Sequence, residues 1–223
     1  PYGGMQRRGV ISIQEFFTAN TGFEKAPADE DLDSWLMIPE AGISQTENGM
    51  IFLDNYGGFT RIREEFAALP SDLRIKRLAG RIFAFSQSGG YNYPRMIKRG
   101  DEASAQLCAY EAYKDAANAA FLLAGVFPPY FKWLPRALSE LEMFPGFARK
   151  LEALILNDNS AENAADKLEL IGGIGELLCD KAAEMFHIDR FDGTPDRLQH
   201  TAFALNGLVS DNSLRNSDIL SAL

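Results

Sequence analysis

The chain has 223 residues, 46% of them apolar and 24% charged, and a net charge of −9. That balance excludes a disordered chain and supplies enough residues for one good core or two small ones. Its apolar runs, such as Ala116–Val126, fall far short of the ~20 residues a membrane-spanning helix needs, and no leader pattern opens the chain. A soluble, cytoplasmic protein is expected, with no membrane contact.

Only two cysteines are present, Cys108 and Cys179, both inside helical patterns. They read as small buried hydrophobes in a reducing compartment. No C-x-x-C pair accompanies them, and His187 and His200 stand apart, so no metal site is expected. The chain begins at Pro1, and Tyr2-Gly3-Gly4 does not read as a domain entrance, which points to a processed chain or a fragment.

Taken in order, Val10–Ile13 is a short strand candidate, running into a segment where Ser12 and Glu15 have capping-box spacing. An acidic loop, 26–34, leads to Trp35–Ile38 and a stop at Pro39. Ile43–Glu47 and Met50–Leu53 flank Asn48-Gly49, a type I′ hairpin signal. Helical periodicity then takes over. Thr60 is placed to cap a helix to Leu69, and Ser71 to cap one ending at Gly89-Gly90. Asp101 is placed to cap an alanine-rich helix that closes at Gly125. Helices follow over 130–141, 145–157 and 160–186, the last interrupted by Gly172-Gly173 and Gly175, and a final helix opens at Thr194-Pro195. The expected fold is mainly α: a helical bundle over 60–223, with a small α/β or β-hairpin portion over 1–59.

Charge is uneven along the chain. Residues 61–99 carry +6, whereas residues 1–60 carry −6 and residues 100–223 carry −9. Such an island is either a solvated helix face or an anion site. An acidic chain is a poor general nucleic-acid binder, so a small phosphate-bearing ligand, or one focused nucleic-acid end, is the matching partner. In the helix after Ser71, Ile75, Leu78, Ala79, Ile82 and Phe85 form the apolar stripe and Arg74, Arg77 and Arg81 the opposite face.

Gly172-Gly173-Ile174-Gly175 lacks the lysine and hydroxyl residue of a P-loop and reads as a kink or close helix crossing. No nucleophile elbow, zinc-protease motif or Cys–His pair is present. Between Tyr91 and Trp133 the chemistry is denser. Tyr93, Arg95, Lys98 and Arg99 share a turn-rich segment, Glu111, Lys114 and Asp115 share one helical turn, and Lys132 lies between aromatics. Glu111 and Asp115 are like charges at i, i+4, a repulsion that a cation between them relieves.

The patterns Y-N-Y-P-R-x-x-K-R-G-D from Tyr91, Glu111-x-x-Lys114 with Phe121-Leu122-Leu123, and Pro128-x-Tyr130-Phe131-Lys132-Trp133 resemble a bacterial family, domain of unknown function 4037. Asp33-Ser34-Trp35-Leu36-x-x-Pro39 and Asp54-x-x-Gly57-x-x-Thr60-x-x-Arg63 resemble its upstream part, so the likeness spans about residues 9–145, with an echo at Ser213-Leu214-Arg215. That family follows a nucleotidyltransferase-like domain, whose Gly-Ser and paired carboxylates hold magnesium and a nucleoside triphosphate.

No Gly-Ser with a following D-x-D occurs here, and Asp29-x-Asp31-x-Asp33 lies in a loop. The resemblance therefore implies a nucleotidyltransferase-like protein whose chemistry, magnesium and triphosphate belong to a missing N-terminal domain. It makes 1–59 the tail of that portion, and this chain, inactive alone, the helical part binding acceptor and nucleotide. By the same analogy Arg95, Lys98, Arg99, Lys114 and Lys132 face phosphates or ligand, Tyr93 stacks on a base or sugar, and Glu111 is a candidate base. The rival expectation is a non-catalytic module whose basic 61–99 region docks a partner.

Overall fold

A computed structural model describes residues 9–194 and 196–223. The chain divides into two compact units, up to Pro70 and from Ser71 onward. Among the described residues every regular element is helical.

The first unit holds α1 (Ile13–Thr21), α2 (Leu32–Leu36), α3 (Glu40–Glu47) and α4 (Gly58–Ala67). The strand and hairpin expected here do not form. Ser12 accepts from the Glu15 backbone while Glu15 accepts back from Ser12, and this reciprocal cap starts α1 at Ile13. Ile43–Glu47 lies inside α3, where Ile43 and Thr46 are buried one turn apart. A type I′ turn needs positive φ at both central residues; Gly49 has +104° but Asn48 has −73°. Thr60 does not cap α4 either. Its backbone and hydroxyl both donate to Asp54 at 2.8 Å, which draws the Asp54 carboxyl below its usual range.

The core of this unit is aromatic. Phe17 stacks on Phe66 with centroids 5.5 Å apart, Phe59 lies against Phe16 and Phe17, and the Trp35 indole donates to the Ala28 carbonyl. Gly42 is where α3 meets α1: a Cβ there would stand 2.2 Å from the Asn20 carbonyl oxygen.

The second unit is organised around α5 (Ser71–Phe85) and α7 (Glu102–Ala124). Asp101 caps α7 through the Ser104 amide, and Gly125 closes it at φ +73°. Alanines at 105, 109, 112, 116, 117, 119 and 120 have no solvent exposure, so helices approach α7 from all sides. Around it stand α6 (Tyr93–Lys98), α8 (Leu134–Ser139), α9 (Phe147–Leu156), α10 (Ala161–Phe186), α11 (Arg197–Gly207) and the short α12 (Asn212–Asn216). None of these helices is long and apolar enough to cross a membrane.

Two expectations about glycine are corrected. Gly89-Gly90 does not end a helix; a stretch of π winding, Ser86–Asn92, carries α5 directly into α6. Ser86 and Ser88 donate their hydroxyls back to the Phe83 and Ala84 carbonyls, which loosens the α ladder where it changes pitch. α10 is likewise unbroken through Gly172, Gly173 and Gly175, and at 26 residues it is longer than α7. Gly175 provides a close crossing, since a Cβ would stand 3.1 Å from Leu198 and 3.4 Å from Phe85, whereas Gly172 and Gly173 face open space.

Of the basic face expected on α5, Arg77 is buried and Arg74 and Arg81 are half-buried, and Lys76, outside that face, is buried as well. Lys76 is 0% and Arg77 3% exposed. Lys76 donates to Asn206 at 2.9 Å and to the Ser217 carbonyl at 3.0 Å, and Arg77 donates to the Ala222 carbonyl at 3.2 Å. Arg81 pairs with Asp115 of α7 at 3.1 Å. Burial pushes the Asp115 carboxyl up despite the opposing pull of Arg81.

Lys76 and Arg77 hold residues 217–223 on α5, where a Cβ at Gly80 would lie 2.8 Å from the Ile219 carbonyl oxygen. Gly80→Val should therefore lift this tail and destabilise the fold by about 1–3 kcal/mol, the scale of overpacking. Urea denaturation measures the loss, and amide exchange over 217–223 should accelerate in the variant.

Candidate functional site

The candidate residues separate into three places. Arg95, Lys98 and Arg99 are exposed on and just after α6. Tyr91, Arg95 and Lys98, spaced i, i+4, i+7, share one face of this continuous helix. The Arg95 guanidinium lies 4.6 Å from the Tyr91 ring centroid and hydrogen-bonds its hydroxyl. Glu111 and Lys114 pair with each other at 2.5 Å on the surface of α7. Lys132 follows the far end of α7, a helix about 35 Å long at 1.5 Å per residue, and stands 5.4 Å from the Trp133 ring centroid. Arg99 and Lys132 thus flank opposite ends of one helix rather than converging.

Tyr93 is the exception, since it lies in the core with no exposure. Its hydroxyl donates to Asn159 Oδ1 at 3.0 Å. The fully buried Lys167 ammonium donates to the same oxygen at 3.0 Å and to Gln106 Oε1 at 2.9 Å. Asn159 Nδ2 in turn donates to Gln106 and to the Glu102 carbonyl. The network joins α6, α7, α10 and the 157–160 loop, and it leaves no open ring face on Tyr93.

Burial pushes the Tyr93 hydroxyl up to about 12, and that of Tyr113 to about 12 as well. The fold keeps these protons while an unfolded chain releases them near 10, so their contribution to stability is lost as pH rises from 10 to 12. Absorbance titration at 295 nm should show both hydroxyls ionising near pH 12 in the native protein and near 10 in urea.

The exposed end of the π segment, Gly90 and Tyr91, instead borders a pocket of about 490 Å³. One wall is Gly90 and Tyr91, with Ser86 behind; a second is Gly172, Glu176 and Cys179 of α10. The third is the segment entering α11, with Thr194, Asp196 and Arg197. Two of its walls are regular elements, the π segment and α10, and the third runs into the start of α11. A larger hollow of about 980 Å³ in the first unit is walled on one side by the 23–31 loop.

Arg197 is already engaged. It donates to Asp180 at 2.6 Å and to the Arg190 carbonyl at 2.9 Å, and lies 3.0 Å from Asp192. Cys179 is 1% exposed, and burial pushes its thiol up against a smaller opposing pull from the Thr201 hydroxyl, so it forms a neutral floor rather than a nucleophile. Among the described residues no group of three His, Cys, Asp or Glu side chains is placed to hold a metal ion.

The pocket was not anticipated from sequence. Tyr91 stood among the noted aromatics without a role, Glu176 and Asp196 carried no motif, and the glycines at 172 and 175 were the one available signal.

Fold and pocket define an all-α protein with a cleft of small-molecule size. Residues 35–134 match the family described as Domain of unknown function (DUF4037), so over that stretch the chain resembles this family, as its spaced motifs indicated. The match runs from Trp35 in α2 to Leu134 at the start of α8 and includes the π segment and α6. No curated protein and no solved structure matches the chain.

Proposed function

We propose that this chain is the helical, ligand-holding portion of a cytoplasmic, bacterial nucleotidyltransferase-like protein. In this reading the α10–α11 pocket receives the acceptor and the outer face of α6 meets the nucleotide phosphates. The observation that carries the reading is the continuous Tyr91–Arg95–Lys98 face beside a small-molecule pocket. Arg95, Lys98 and Arg99 are exposed cations on one short element, the arrangement that meets phosphate oxygens with charge-assisted hydrogen bonds.

The catalytic carboxylates, magnesium and triphosphate chemistry belong in this proposal to a preceding domain. The described residues here offer no carboxylate cluster fit for a metal, so no step through magnesium is assigned to them. Glu111, paired with Lys114, and Lys132, beyond the other end of α7, are not called upon.

The rival reading, a docking module using the basic 61–99 region, retains fewer residues than its charge suggests. Lys76 and Arg77 are buried and Arg81 is largely so, all three committed inside the fold.

Titration calorimetry of the chain with Mg-ATP tests the proposal. Saturable binding is expected, weakened about tenfold or more in Arg95→Ala/Lys98→Ala, the scale of one lost charge-assisted contact. Circular dichroism of the double variant should be unchanged, because both side chains are exposed. Absent binding, or binding indifferent to the two substitutions, overturns the reading.

A further inference from the structure

Between α3 and α4 runs an apolar loop that the aromatic core of the first unit does not absorb. Met50, Phe52, Leu53 and Tyr56 are each between 77% and 100% exposed. Both ends of the loop are tied down. Arg63 donates to the Glu47 and Gly49 carbonyls, and the Thr60 amide and hydroxyl hold Asp54. The apolar side chains are therefore presented on an anchored segment, which lowers the entropy lost when a partner is met.

The same loop rims a hollow of about 600 Å³. Ile13, Phe16, Ile51 and Phe59 supply its apolar wall, and the exposed Phe52 and Leu53 stand at its edge. One face thus carries both a projecting aromatic side chain and a cavity roomy enough to take one. Asp54 and Arg63 are the only ionisable groups among the lining residues, so the charges of this face cancel.

We infer that this face binds a second copy of the chain, with Phe52 of each copy seated in the other's hollow. A twofold axis makes such an exchange reciprocal, which requires projection and cavity to lie on one surface. The face must also not repel itself, and a lining whose charges cancel meets that condition. Area agrees with this occupant. Phe52 and Tyr56 offer roughly 300–500 Å² of aromatic surface. Met50, Leu53 and the hollow extend this toward the ~800 Å² that each partner contributes to a standard interface. A monomer rarely leaves so large an apolar patch in water. The contact belongs to the first unit and goes beyond the ligand roles proposed for α6 and the α10–α11 pocket.

Sedimentation equilibrium of the 223-residue chain across the micromolar range tests the inference. A reversible monomer–dimer equilibrium is expected. Phe52→Ser/Leu53→Ser removes the projection and should raise the dimer Kd about tenfold or more, the scale of a central interface contact. Ile13→Glu places a charge in the hollow and should do the same. Both variants should keep the native circular dichroism spectrum, because Phe52 and Leu53 are exposed and a glutamate suits the first position of α1. Salt gives a second readout. Residues 1–60 carry −6, so two copies repel at long range, and added sodium chloride should screen this and tighten the dimer.

A chain that stays monomeric, a dimer indifferent to either variant, or assembly beyond a dimer overturns the inference. A dimer that salt weakens overturns it as well, because its interface would then be ionic rather than apolar.

Discussion

The second unit depends on cations buried along α5. Removing a charged group from water costs several kcal/mol even after relaxation, so such a group requires its partners in place. Lys76 and Arg77 find theirs almost entirely in one region, the Asn206 side chain and the carbonyls of Ser217 and Ala222. Arg81 finds Asp115 on α7. One helix therefore dictates where α7, α11 and residues 217–223 must lie. Asp72 adds to this by accepting from the Ser210 and Asp211 amides at 3.0 and 2.7 Å. The fold closes over α5 because its charges admit few other arrangements.

Local instructions in the sequence were legible. Ser12 with Glu15, Asp101 and Gly125 each act within a few residues of themselves, and each marks a helix end where its chemistry implies. The mainly helical class followed from the same periodicity. What misled was nonlocal. Val10–Ile13 has strand composition, but strands require neighbours, and the Ser12 cap acted first. Lys76 and Arg77 look like surface charges until the chain 130 to 145 residues later supplies their acceptors. Periodicity alone cannot report such partners.

The pocket illustrates the same limit. Gly172 and Gly175 are identical residues three positions apart, yet one faces open space and the other holds two helices in contact. Their difference comes from Leu198 and Phe85, which arrive from other helices. Tyr91 and Tyr93 divide comparably. The first stays at the pocket border, while the second is drawn into the core by Asn159 and Lys167. A motif with two tyrosines identifies the segment that matters without telling which ring meets a ligand.

The π winding at Ser86–Asn92 makes chain length, rather than residue identity, the quantity that aims α6. An α-helix advances about 100° per residue. A π turn lodges one residue more than an α turn in the same rotation, so deleting one residue from this stretch would let it close into ordinary winding with α6 aimed as before. Adding a residue would find no such slack and would swing Arg95 and Lys98 by roughly that angle. The segment therefore tolerates shortening by one residue better than lengthening.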